Sequence, residues 1–176
     1  EKARKYFELV ITDPPRAIYG NPIYQYAHAS DIIRLNVLNL VGGIYLDMDT
    51  LCVKPFDDFL DYDFVMGEQH DNGLCNAIMM GKPKSEFGKL WMESYMTFDG
   101  KRWDDHACKM PKTIATLLPH LIHIEPERSF FYPTPWGDGG IDRAIGFELL
   151  YNTCLPNMDG KYAFHLWESH AWTRYL

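Results

Sequence analysis

Two carboxylates mark where this 176-residue chain could do chemistry: Asp47 and Asp49, separated by Met48. They follow Ile44-Tyr45-Leu46, an aromatic and aliphatic run suited to a buried strand. In extended chain, residues two apart point the same way, so both carboxylates project together from the strand's carboxyl end. Open α/β sheets bind ligands at that end. Unpaired carboxylates beside apolar surface are costly, and a divalent cation reconciles them. A solvated turn is the ordinary reading of an Asp-x-Asp triplet. Here the apolar strand and the Gly42-Gly43 break before it favour a ligand site.

The preceding helix must present that strand. Asn21-Pro22 offers an N-cap and a first-turn proline, no glycine or proline interrupts the run from there to Val41, and Gly42-Gly43 stops it. Asp31 and Arg34 are spaced to share one face of the helix. As an exposed ion pair they would be worth about 0 to 1 kcal/mol. In a helix otherwise rich in Ile, Leu and Val they read instead as a ligand contact or a local scaffold.

The rest of the chain supplies a sheet and its covering. Glu1 to Val10 resembles the tail of an amphipathic helix, and Thr12 to Pro22 a loop feeding the long helix. Leu51-Cys52-Val53 continues extended, and Asp57-Asp58 turns the chain. Asp63 to Met66 and Leu74 to Met80 read as strands around a polar loop, His70 to Gly73. Asn76 interrupts the second strand, so it is either hydrogen-bonded in the core or faces a ligand. A helix from Pro83 and Ser85 to about Phe98 buries a stripe of Phe87, Leu90, Trp91, Ser94 and Tyr95. Lys101 to Lys109 reads as a solvated charged loop, Pro111 to Leu118 as a short helix and Leu121 to Ile124 as a short strand. Phe130 to Gly140, aromatic and rich in proline and glycine, suits a shaped loop over a pocket or a packed surface loop, and Tyr162 to Leu166 a last strand carrying His165.

Composition sets bounds. The length fits one domain, residues 1–176, with a real core. A net charge of −7 argues against a nucleic-acid partner held by surface charge, though not against an anion that brings its own metal ion. No window reaches the roughly 18 apolar residues of a membrane span. Cys52, Cys75, Cys108 and Cys154 are too scattered for a zinc knuckle and read equally as free thiols or as disulfides.

Two families share parts of this pattern. Asp47-Met48-Asp49-Thr50 resembles the first motif of haloacid-dehalogenase-type phosphatases, with Asp47 as nucleophile, Asp49 as general acid, and Gly137 to Asp142 as a late acidic motif. The segment before that late motif, Tyr132-Pro-Thr-Pro-Trp136, has prolines that a central strand excludes. The second resemblance uses more residues. Ser30-Asp31-x-x-Arg34 followed by Gly42-Gly43-Ile44-Tyr45-Leu46-Asp47-x-Asp49 resembles the DXD region of glycosyltransferase family 32 and of the clostridial glucosylating toxins. His165-x-Trp167-x-Ser169-x-x-Trp172 is similar to that family's closing segment.

The second resemblance implies a GT-A fold: a mixed α/β sheet flanked by helices, holding a nucleotide sugar over a divalent metal. A retaining hexosyltransferase follows, moving a hexose from a UDP- or GDP-sugar to a glycan or glycolipid hydroxyl. Asp49 would ligate Mn²⁺ (or Mg²⁺) directly, Asp47 through water or by holding ribose and sugar hydroxyls, and His165 would complete the shell, its nitrogen favouring Mn²⁺. Asp31, Arg34 and Tyr45 would contact the donor, Asn76 would lie near the reacting sugar carbon, and Ser169 and Trp172 would touch the diphosphate. Asp71, Glu68 and Asp138 stand as further helpers. The family's opening Ile-Pro-Lys-x-Ile-His segment, which binds the base, is absent ahead of the Asp-x-x-Arg helix. The chain is then an excerpt of a longer protein, with any membrane anchor upstream, or builds its base site differently. A Golgi or other secretory lumen is the expected setting, a bacterial cytoplasm the alternative. A catalytically silent GT-A-like sugar-binding domain is the non-enzymatic alternative.

Overall fold

A computed structural model describes residues 3–69, 73–132, 134 and 159–167. Two short strands, β1 (Ala17–Ile18) and β2 (Asn21–Pro22), form a hairpin ahead of helix α1 (Tyr26–Val41). Strands β3 (Gly43–Leu46), β4 (Thr50–Cys52), β5 (Phe64–Gln69) and β6 (Gly73–Gly81) follow, then helices α2 (Glu86–Ser94) and α3 (Met110–Leu117). Strand β7 (His123–Glu125), the short helix α4 (Glu127–Phe130) and strand β8 (Ala163–His165) complete the described elements.

The main sheet has the order β3-β6-β5-β7, with β7 parallel to β5 and the other pairs antiparallel. It is a mixed sheet flanked by helices. One face buries Phe64, Met66, Leu74 and Met79 against Leu35 and Leu38 of α1 and Phe87 and Trp91 of α2. The other buries Val65, Ala77, Ile78 and Met80 with Phe56, Phe130, Phe131 and Trp167. Residues of one strand divide between the two faces because side chains alternate. Strand β8 belongs to a second sheet, pairing antiparallel with β4 so that Thr50 faces His165.

Glycine at position 42 is required twice over. Its φ of +69° favours glycine, and a Cβ there would lie 2.6 Å from Pro83 Cδ and 2.9 Å from the Gly81 carbonyl. Its N–H caps the helix by bonding the Leu38 carbonyl at 2.9 Å, so the chain leaves α1 directly into β3. At the other helix, Ser85 Oγ accepts from Gly88 N at 3.2 Å, a side-chain N-cap that sets where α2 begins.

Four local expectations change. Asn21-Pro22 does not cap α1: Asn21 donates its amide to the Met96 carbonyl at 3.1 Å within the hairpin, and the helix begins later, with Gln25 at its N-cap. The N-terminal segment is a single 3₁₀ turn at Ala3–Lys5, and the chain from there to β1 has no regular secondary structure, with Tyr6, Phe7, Val10 and Ile11 exposed. A helix without a face to bury has little to stabilise it. Strand β3 is only half-buried, with Ile44 42% exposed, because β6 flanks it on one side and it forms an edge among the described strands. Residues 105–109 form a π-helical turn, not a loop. Cys52, Cys75 and Cys108 are free thiols. No helix among the described residues is long and apolar enough to cross a membrane.

Candidate functional site

Helix α1 brings Asp31 and Arg34 over β6, where Asn76 stands between them. Asn76 Nδ2 donates to Asp31 Oδ1 at 2.8 Å, and Arg34 Nη1 donates to Asn76 Oδ1 at 2.9 Å and to its carbonyl at 3.2 Å. The β5–β6 register shifts between Met66 and Gly67, in the stretch of β6 that carries Asn76. Such irregularities re-aim side chains near functional sites. Arg34 Nη2 also donates to Ser30 Oγ at 3.1 Å. Burial pushes the Asp31 carboxyl up, against the opposing pull of Arg34 and the Asn76 hydrogen bond. Burial by itself would weaken the Arg34 cation, but Asp47, Tyr45 and Asp31 outweigh it and hold its pKa above the usual range.

Strand β3 continues the network. The Arg34 guanidinium lies 5.0 Å from the Tyr45 ring centroid, and Tyr45 donates its hydroxyl to Asp47 Oδ1 at 2.6 Å. Burial raises the Tyr45 hydroxyl well above its ordinary value, so it stays a donor. Arg34 Nη2 is 3.3 Å from the same Asp47 oxygen. The Asp47 backbone N–H bonds the Ala77 carbonyl at 2.8 Å, anchoring the residue to the main sheet.

Asp47 and Asp49 do converge, by a different device from strand alternation. Thr50 N donates to Asp47 O at 3.1 Å, closing a tight turn with Met48 exposed at its tip. The turn carries the chain from the main sheet to the small one. There His165, placed opposite Thr50 by the β4–β8 ladder, directs Nε2 at Asp49 Oδ1 (3.1 Å) and Asp47 Oδ2 (3.8 Å). Leu166 N bonds the Asp49 carbonyl at 2.8 Å, a second tie between the strands. Burial lowers the His165 pKa, more than Asp49 and Asp47 raise it. Trp167, two residues on, takes φ +54°, a region that bulky residues rarely enter and that clusters near functional sites.

The ligand atoms of Asp47, Asp49 and His165 lie within 4.8 Å of one another. Asp47 divides its oxygens: Oδ1 is taken by Tyr45 and Arg34, while Oδ2 faces His165. Two carboxylates and an imidazole nitrogen make a donor set for a divalent transition metal, which would take the place of the proton between Nε2 and Asp49. These residues fit such an ion, which would act as a Lewis acid toward an anionic leaving group.

The structure thus brings together Asp31, Arg34, Tyr45, Asp47, Asp49, Asn76 and His165. Ser169, Trp172, Asp71 and Asp138 lie outside the described residues. Glu68 is engaged with Lys112 at 2.9 Å. Two contributors escaped sequence reasoning. Ser30 holds the guanidinium, a role its one-turn spacing from Arg34 would have suggested. Phe131, at the start of the stretch read as a loop over a pocket or at the surface, packs edge-on against His165 with centroids 6.1 Å apart, a partner that no local pattern names.

Residues 8–65 match the family described as the glycosyltransferase sugar-binding region containing the DXD motif. This stretch is similar to the DXD-containing sugar-binding region of glycosyltransferases. The matched span includes Asp31, Arg34, Tyr45, Asp47 and Asp49 and stops short of Asn76 and His165. The chain is 37% identical to glucan organizing enzyme 1 of Cryptococcus neoformans var. grubii, over 96% of its own length and 47% of that protein. It is 25% identical to the mannosyl phosphorylinositol ceramide synthase SUR1 of Saccharomyces cerevisiae, over 82% of its length and 46% of the relative. Toxin Afp18 of Yersinia ruckeri shares 42% identity over 31% of this chain and 3% of the toxin. The chain spans about half the length of the two fungal relatives. No solved structure matches.

Proposed function

We propose that this chain is the GT-A-type catalytic domain of a metal-dependent, retaining glycosyltransferase. The observation that carries the reading is the convergence of Asp47, Asp49 and His165 at one end of the Asp31–Asn76–Arg34–Tyr45 network. The donor is a UDP- or GDP-hexose and the acceptor a hydroxyl of a glycan or glycolipid. Relatives named for mannosyl transfer make mannose the first sugar to try. A secretory lumen is the proposed setting.

In this reading Asp49 and His165 hold Mn²⁺, with Mg²⁺ the weaker fit to a nitrogen ligand. Asp47 joins them through Oδ2 or through water. The ion, when bound, supplies positive charge to the departing diphosphate. The chain's own residues do the orienting. Asp31 and the Arg34 guanidinium grip donor-sugar hydroxyls, Tyr45 borders the donor, and Asn76 fixes both charged groups beside the reacting carbon. Ser169 and Trp172 are assigned to the diphosphate. Asp31, Asp47 and Asp49 are each committed to partners, which favours a front-face displacement with the leaving phosphate accepting the acceptor's proton.

A phosphatase would need Asp47 as a free nucleophile. Its engagement by Tyr45 and Arg34, with a histidine facing the pair, favours the transferase. The test is turnover of a panel of UDP- and GDP-hexoses with Mn²⁺ by the intact protein, reading the product's anomeric configuration by NMR. Hexose transfer or donor hydrolysis with retention supports the proposal. Inversion would remove the retaining step, and turnover of a phosphate monoester alone would favour the phosphatase. Donor binding without turnover would leave a silent sugar-binding domain.

A further inference from the structure

The metal site just proposed draws on two sheets: Asp47 leaves β3 of the main sheet, and His165 sits in β8 of the small one. The turn from Asp47 to Thr50 joins them covalently but leaves the angle between the sheets open. Helix α4 closes that gap. At Gly67 of β5, an added Cβ would come within 2.6 Å of the Phe131 ring and 2.7 Å of the Phe130 ring, so both rings lie directly on the strand's backbone. The Phe131 ring also meets His165 at an interplanar angle of 85°, and Trp167 at 6.3 Å. Phe131 is a wedge between the main sheet and the imidazole.

What holds the wedge is Lys161, a residue only 2% exposed. Its Nζ donates to the Arg128 carbonyl at 3.3 Å, which a helix as short as α4 leaves without an intrahelical partner, and to the Tyr132 carbonyl at 2.7 Å, two residues past the helix. It lies 4.9 Å from the Tyr132 ring centroid and 5.0 Å from that of Phe164. It forms no ion pair with a carboxylate among the described residues. The adjacent Tyr162 N–H bonds the Ser129 carbonyl at 2.9 Å, and the Tyr162 carbonyl accepts from Val53 N at 2.9 Å. The segment is therefore a junction where α4, β4 and β8 meet. An apolar residue could fill the space but would leave two part-buried carbonyls without this donor.

We infer that Lys161 is a positioning residue for the metal site: by bonding the Arg128 and Tyr132 carbonyls on either side of Phe131 it seats that ring between Gly67 and His165, and so fixes His165 Nε2 relative to Asp47 Oδ2. The inference rests on the metal reading above. Residues that orient metal ligands from behind typically change affinity about 10- to 100-fold when lost.

The experiment is Mn²⁺ titration by calorimetry of the intact wild-type protein, Lys161→Met and Phe131→Leu, each checked for folding by circular dichroism and thermal melting. The expected result is Mn²⁺ affinity reduced about 10-fold in both variants while each remains folded at the titration temperature. A residue that only packs would lower the melting temperature and leave the affinity of the folded protein unchanged. Wild-type affinity in a folded Lys161→Met overturns the inference. If Lys161→Met does not fold, wild-type affinity in Phe131→Leu overturns it instead. Failure of the wild type itself to bind Mn²⁺ would overturn the metal reading, and this inference with it.

Discussion

Tyr45 donates its hydroxyl to Asp47 Oδ1 at 2.6 Å, and this bond helps decide which oxygen of Asp47 faces His165. The Arg34 guanidinium lies over the same ring and reaches the same oxygen. Tyr45 therefore acts on the site through Asp47. Tyr45→Phe keeps the ring and the cation–π contact and removes only the donor. The expected outcome is Mn²⁺ affinity reduced about 10-fold, measured by calorimetry, at a stability cost of about 1 kcal/mol by urea unfolding.

Arg34 is the cation between two buried or half-buried carboxylates, Asp31 and Asp47. Removing one partner of a buried charge cluster leaves the others uncompensated, a loss of about 3 to 5 kcal/mol. Arg34→Met should lose about that much in urea unfolding. Asp31→Asn in the Arg34→Met background should recover part of it, since one orphaned carboxylate disappears. Additive losses in the double variant would show that the pair is not coupled.

Gly42 joins α1 to the site-bearing strand. Gly42→Ala places a Cβ against Pro83 and the Gly81 carbonyl at a φ of +69°. A destabilisation of about 1 to 3 kcal/mol is expected, read as a lower urea midpoint. Gly43→Ala supplies the comparison, because a Cβ there meets nothing within 4 Å and only its φ of +109° opposes the change.

Lys161 gives a pH signature. Burial, reinforced by the nearby Arg128 charge, lowers its pKa from 10.5 to about 8. A lysine depressed in the folded state leaves the unfolded chain binding more protons between those values, so its contribution to stability rises with pH there. Below about pH 8 the penalty for the buried charge is constant. The stability of the wild type relative to Lys161→Met should therefore climb between pH 8 and pH 10.5, by up to about 3 kcal/mol. A difference that stays flat across that range would mean the two carbonyl acceptors hold the charge without penalty.

Much of the site was legible because it is local. Ser30 to Asp49 holds a helix, its glycine stop, a strand and the carboxylates in one stretch, and spacing alone groups Asp31 with Arg34 and Asp47 with Asp49. The strands from Phe64 to Gly81 and helix α2 follow their apolar patterns closely. What spacing could not supply were the long-range relationships. Asn76 carried two readings, core hydrogen bond or ligand contact, and only its bonds to Asp31 and Arg34, 45 and 42 residues away, show what it holds. The convergence of Asp47 with Asp49 was expected for the wrong geometric reason, because a turn's backbone hydrogen bond does not announce itself in an Asp-Met-Asp-Thr sequence. Asn21 was misassigned because its amide finds Met96 carbonyl partners far along the chain, and no local pattern competes with that. Lys161 was invisible as a buried residue, since lysine is ordinarily at the surface.

The central claim is that Asp49 and His165, residues 116 apart in sequence, hold one divalent ion beneath a nucleotide sugar. Calorimetry with Mn²⁺ and UDP- or GDP-hexose on the intact wild type, Asp49→Ala and His165→Ala tests it most directly. The account predicts nucleotide-sugar binding that requires Mn²⁺ in the wild type and is lost in both variants. Metal-independent binding, or binding unchanged in either folded variant, would contradict it.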